Sequence, residues 1–140
     1  MVCHNDRGEF IAASAMIIPN ITEPETLEGM ACLEVLALAE DCGIRKIIVA
    51  SDCLNIVRNI SEMPLCTYVM ILKDIQERAK SFDYVRFAHE GSRECNREAD
   101  RLAKYVCSLE VGRHVWLGSP AELLLYAPFS SCCDSMSTAC

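Results

Sequence analysis

The stretch Lys46–Val57, KIIVASDCLNIV, decides how this chain is read. Ile47 to Ala50 form an unbroken apolar run, as a buried strand does. Asp52 follows two residues later, where a helix begins. A carboxylate at the end of a buried strand has two readings. It caps the helix that follows, or it is delivered to the strand end, where open α/β sheets gather their ligands.

Working outward, residues 1–18 read as a β-hairpin. Asn5-Asp6-Arg7-Gly8 supplies the turn, and Phe10 to Ile18 the second strand. Thr22-Glu23-Pro24-Glu25 predicts a helix start with Thr22 as cap and proline in the first turn, and Gly43 predicts its stop. After the strand Ile44–Ala50 come a short helix over 51–60, a break at Pro64, and a helix over 68–80. Asp83 to His89 alternates like a strand. Glu90-Gly91-Ser92-Arg93 reads as a loop, and Cys95 to Leu109 as a last helix. The order is β-β-α-β-α-α-β-α. His114-Val115-Trp116-Leu117 suggests a short extension, and SSCCDSMSTAC (130–140) a disordered tail.

The chain has 140 residues, enough for one domain with a real core. Hydrophobic residues make up 51% and the net charge is −7. Mean hydropathy is +0.18 and the pI about 4.9. That balance fits a globular protein and counts against strong, non-specific nucleic-acid binding. No run approaches the roughly 18–20 apolar residues of a membrane span, and the polar start, MVCHNDRGEF, is no signal peptide. An intracellular, cytoplasmic or nuclear protein is expected. Its ten cysteines follow no C-x-x-C spacing and are read as small core hydrophobes in a reducing compartment, not as disulfides or zinc ligands.

Three carboxylates stand at or near core-facing positions. Glu28 shares a helical stripe with Cys32, Val35 and Ala39, whereas Glu34 falls roughly 120° away and stacks with Asp41 on a predicted solvated face. Asp100 aligns with Asn96, Ala103 and Cys107, and Asp52 ends its strand. Each has an ordinary explanation: Asp52 as a helix cap, Glu28 satisfying a helix end, Asp100 paired with an arginine. Burying an unpaired carboxylate costs several kcal/mol by roughly the same count at each position, and a shared divalent cation would relieve all three together.

The segments LEGMACLEVLALAEDCG (27–43), IIVASD (47–52) and FAHEGSRECNREADRLA (87–103) resemble the plant ribonuclease H-like domains, the reverse-transcriptase-like group related to retroelement ribonuclease H. The final N-x-x-A-D-x-L-A, at Asn96, Ala99, Asp100, Leu102 and Ala103, is the most specific element. The resemblance covers residues 1–117, with 118–140 as a C-terminal extension. It implies an α/β fold with a mixed five-stranded sheet flanked by helices, and hydrolysis of the RNA strand of RNA–DNA hybrids by two magnesium (or manganese) ions about 3.5–4 Å apart. Glu28, Asp52 and Asp100 would be catalytic metal ligands, His89 would assist proton transfer or product release, and Arg93, Asn96 and Arg97 would meet nucleic acid.

The chain departs from that family at its beginning. The family's first strand, carrying the aspartate that bridges both metals, has no counterpart, and Met1 falls where the second strand starts. This implies an N-terminally truncated domain of weak or absent endonuclease activity, with unpaired backbone on the strands beside the gap. Two other readings stand beside the nuclease: a non-catalytic module binding nucleic acid or a protein, and an α/β domain binding a nucleotide or small ligand at its strand ends, for which no glycine-rich phosphate loop is present. Arg93, Arg97, Arg101, Lys104 and Arg113 read either as phosphate contacts or as a solvated polar face, and Trp116 as packing or a stacking platform. His89 reads equally as a histidine satisfied at a strand end, and Ser92 lacks the partners of a hydrolase pair.

Overall fold

The computed structural model describes residues 1–90, 97–106, 109–118 and 138–139, with the backbone alone described at 97–100, 103, 138 and 139. Asn5 builds the first turn: its Oδ1 accepts the amide hydrogens of Arg7 and Glu9, and Gly8 takes the positive φ of 75° that the reversal needs. This joins β1 (Val2–His4) to β2 (Phe10–Ile17) as an antiparallel pair. Helix α1 (Pro24–Asp41) follows, with proline in its first turn and Gly43, at φ 69°, just beyond its end. Its N-cap is Glu23, not Thr22, and the Glu23 carboxylate accepts hydrogen bonds from the Thr26 and Thr67 hydroxyls. Strand β3 (Lys46–Ser51), α2 (Leu54–Glu62), α3 (Val69–Ala79), β4 (Tyr84–His89), α4 (Arg97–Val106), β5 (Gly112–Leu117) and β6 (Thr138–Ala139) complete the order.

The strands form one mixed sheet in the order β4-β3-β6-β1-β2-β5, flanked by helices on both faces. This is the predicted α/β architecture, with six strands where the order read from the sequence has four and the family resemblance implies five. The predicted short extension is a full edge strand, β5, antiparallel to β2 from Ala12↔Leu117 to Ile17↔Gly112. Within the segment expected to be a disordered tail, Thr138 and Ala139 pair on both sides. Ala139 is antiparallel to Cys3 of β1, and both residues are parallel to β3 at Ile48 and Val49.

Alternation along the strands divides the core. Cys3, Ala12, Ile47 and Val49 face α1, α2 and α3, and pack with Leu36, Ile56, Leu72 and Ile75. Val2, Ala13 and Ala15 face the other way, against Leu102 and Val106 of α4, with Trp116 alongside. Trp116 is therefore packing. Helix α1 lies between the sheet and α3, so it is buried on two sides; Gly29 permits the close approach, since a Cβ there would sit 2.9 Å from Cγ2 of Ile71.

That placement overturns one expectation. Glu34 is not on a solvated face: it is 3% exposed, and Nε of Arg113 donates to its Oε1 at 2.6 Å. Nη2 of Arg113 reaches Oδ2 of Asp41 at 2.7 Å, so Arg113 is a clamp between β5 and α1 and not a phosphate contact beside the last helix. Among the described residues, Cys3, Cys32, Cys42, Cys53 and Cys66 are in no disulfide. Burial, and then Cys42 nearby, push the Cys3 thiol up to about 12, the behaviour of a core hydrophobe. No helix of the described residues is long and apolar enough to cross a membrane.

Candidate active site

The apolar stripe predicted for α1 is real: Cys32, Val35 and Ala39 are 3%, 2% and 1% exposed. One turn before Cys32, it carries Glu28 to the end of the sheet where β3 finishes. There the Glu28 carboxylate, half-buried, accepts a hydrogen bond from the Ser51 hydroxyl at 3.2 Å. Asp52 is exposed and lies between Ser51 and the helix. It is not the cap: the N-cap of α2 is Cys53, and no side chain caps it. Among the described residues none hydrogen-bonds to the Asp52 carboxylate or forms an ion pair with it.

Parallel pairing of β3 with β4 sets His89 beside Ser51. The His89 ring Nε2 is 3.2 Å from the backbone oxygen of Asp52, and the Glu90 amide donates to the Ser51 carbonyl at 3.0 Å. Three predicted site residues, Glu28, Asp52 and His89, thus come to one sheet end. Asp100 lies on α4, with its side chain outside the described residues, as are those of Arg93, Asn96, Arg97 and Ser92. Of the other basic residues read near the last helix, Arg101 is partly buried and Lys104 exposed.

Burial raises the Glu28 carboxyl above its ordinary value, the negative charge of Asp52 raises it further, and the Ser51 hydrogen bond offsets part of this. Two carboxylates repel here with no Lys or Arg of the described residues paired to either. The sign of the pH dependence follows. The native state holds the Glu28 proton more tightly than the unfolded chain does, so stability present below the ordinary carboxylate range is lost as pH rises through the raised value. Glu28→Gln is therefore expected to melt higher than wild type at pH 7 and to match it near pH 4. The gain is under about 1 kcal/mol, because the side chain is only half-buried and water screens it. Thermal melts at the two pH values check this; equal melting at pH 7 would refute the repulsion.

A family profile described as reverse transcriptase-like matches residues 1–106. The chain belongs to that family. The reverse transcriptase-like domain so defined, ribonuclease H-like in type, spans every element from β1 to α4, and therefore Glu28, Asp52, His89 and Asp100. No curated protein and no solved structure matches the chain.

For a divalent cation, the donor set counts. Among the described residues no group of three or more His, Cys, Asp or Glu side chains is arranged to hold a metal ion. What they bring together is a pair of hard oxygen donors, Glu28 and Asp52, whose repulsion the Ser51 hydrogen bond offsets only in part. That chemistry fits magnesium or manganese and not a soft thiolate-bound metal. Ser51 is the residue that periodicity missed. A serine in a buried strand reads as filler, and its role emerges only when α1 is laid against β3.

Proposed function

We propose that this domain is a nucleic-acid-binding module of ribonuclease H type, with a phosphodiester-hydrolysing centre built on Glu28, Asp52 and Asp100. The observation that carries the reading is the Glu28–Asp52 pair at the end of β3, where burial and mutual repulsion leave negative charge for a cation to neutralise. Glu28, Asp52 and Asp100 would hold magnesium or manganese, which supplies an activated water and charge neutralisation at the scissile phosphate when bound. His89, whose ring Nε2 lies 3.2 Å from the Asp52 backbone oxygen, is proposed to pass a proton or ease product release. Arg93, Asn96 and Arg97 are proposed to meet the nucleic acid, an RNA–DNA hybrid in the first instance.

Activity is proposed to be weak. The family resemblance implies a central strand bearing a further aspartate, and here the central slot between β1 and β3 holds Thr138 and Ala139, neither with a carboxylate. The same observation favours the second reading, a module that binds nucleic acid or a protein without cleaving. The test is cleavage of a labelled RNA–DNA hybrid with Mg2+ and then Mn2+. Slow, metal-dependent cleavage is expected, reduced about 100-fold or more by Asp52→Asn. Hybrid binding with no cleavage by the folded protein would establish the second reading. Cleavage unchanged by Asp52→Asn would remove this site from the account.

A further inference from the structure

Ser51 is the last residue of β3 and only 8% exposed, on the α1 face that Ile47 and Val49 share. Its hydroxyl makes two hydrogen bonds. The Cys53 amide donates to Oγ at 3.1 Å, and Oγ donates to Oε2 of Glu28 at 3.2 Å. The two bonds are compatible, because a lone pair of Oγ accepts from Cys53 and its one hydrogen remains for the Glu28 carboxylate, which when ionised can only accept.

The bond from Cys53 also closes a serine turn across Asp52, with the side-chain oxygen replacing a backbone carbonyl. That turn fixes the peptide units on both sides of Asp52, and so the direction in which its carboxylate leaves the chain. The backbone of Ser51 is held in turn by its pairing with His89 and by the Glu90 amide. One hydroxyl thus touches Glu28 directly and orients Asp52 through the turn. We propose that Ser51 is the positioning residue of the carboxylate pair, holding Glu28 and Asp52 in the relative geometry that a divalent cation requires. The purpose of that geometry rests on the function proposed above; the hydrogen bonds themselves do not.

Two measurements test it on the full chain. In metal-free buffer, urea unfolding of wild type, Ser51→Ala, Glu28→Ala and the double variant forms a cycle. The double variant's folding equilibrium constant is expected to depart from additivity by about fivefold, a modest coupling suited to a hydroxyl–carboxylate bond at the long end of its range. Agreement with additivity within about twofold would overturn the proposal. Mn2+ binding, followed by electron paramagnetic resonance, is then expected to weaken about tenfold in Ser51→Ala. Ser51→Thr, which keeps the hydroxyl, should bind far more tightly than the isosteric Ser51→Val. This pair also serves if Ser51→Ala fails to fold. Coupling in the cycle with Mn2+ affinity indifferent to the hydroxyl would refute a positioning role. If wild type binds no Mn2+, or Asp52→Asn binds it equally well, the metal site falls. The metal-free cycle then decides alone whether Ser51 holds Glu28.

Discussion

Arg113→Ala is expected to destabilise the fold by about 2–3 kcal/mol, the cost of leaving a buried carboxylate without its partner. Glu34 is 3% exposed on α1, and the guanidinium of Arg113 is its ion-pair partner at 2.6 Å. Glu34 first, and Asp41 second, raise the Arg113 pKa, so the arginine stays charged throughout any accessible pH range. Breaking a fully buried pair costs roughly 3–5 kcal/mol. The Arg113 side chain is 36% exposed, which lets water reach the abandoned glutamate and places the expected loss at or below the low end. Asp41 is half exposed, so Asp41→Asn is expected to cost less than about 1 kcal/mol. Glu34→Gln added to Arg113→Ala should recover part of the loss, since an uncharged amide is cheaper to bury. Urea unfolding of these variants ranks them directly. If Arg113→Ala cost no more than Asp41→Asn, the clamp would be a surface contact only.

The same clamp shows what a local reading can reach. Spacing alone puts Glu34 and Asp41 on one face of α1, and they do share one. It assigns that face to solvent because nothing within residues 27–43 signals a strand arriving from 79 positions away. Arg113 reads as a phosphate contact or a solvated residue for the same reason: its partners are remote. By contrast, the hairpin, the glycine stop at Gly43 and the buried run Ile47–Ala50 depend on neighbours in sequence and are legible there. The candidate site divides along the same line. Glu28 and Asp52 declare themselves by carboxylates in apolar surroundings, whereas Ser51 has no such anomaly and becomes meaningful only through a contact 23 positions away.

Loss of β6 is expected to have a comparably large effect, about 2–4 kcal/mol, although it removes only two paired residues. The reason is position. Strands at the edge of a sheet fray into water, but β6 lies third of six, between β3 and β1. Its neighbours there, Cys3, Val49 and Ile48, are 1%, 1% and 8% exposed, so their backbone groups have little access to water as a substitute partner. Each buried group left unpaired costs about 1–3 kcal/mol, and both flanking strands lose partners at once. Truncation after Gly118, and the point change Ala139→Pro, which deletes a donor where a central strand cannot spare one, should act alike. Amide hydrogen exchange reports this locally: protection at Cys3, Ile48 and Val49 should fall while that at Leu72 and Ile75, within α3, falls less. β3 also delivers Ser51 and Asp52, so a strand freed on one side holds the carboxylate pair less firmly, and Mn2+ affinity should decline with protection. If the truncated chain kept full stability and full protection at Cys3 and Val49, β1 and β3 would not need this strand between them. The slot would then be closed by other means.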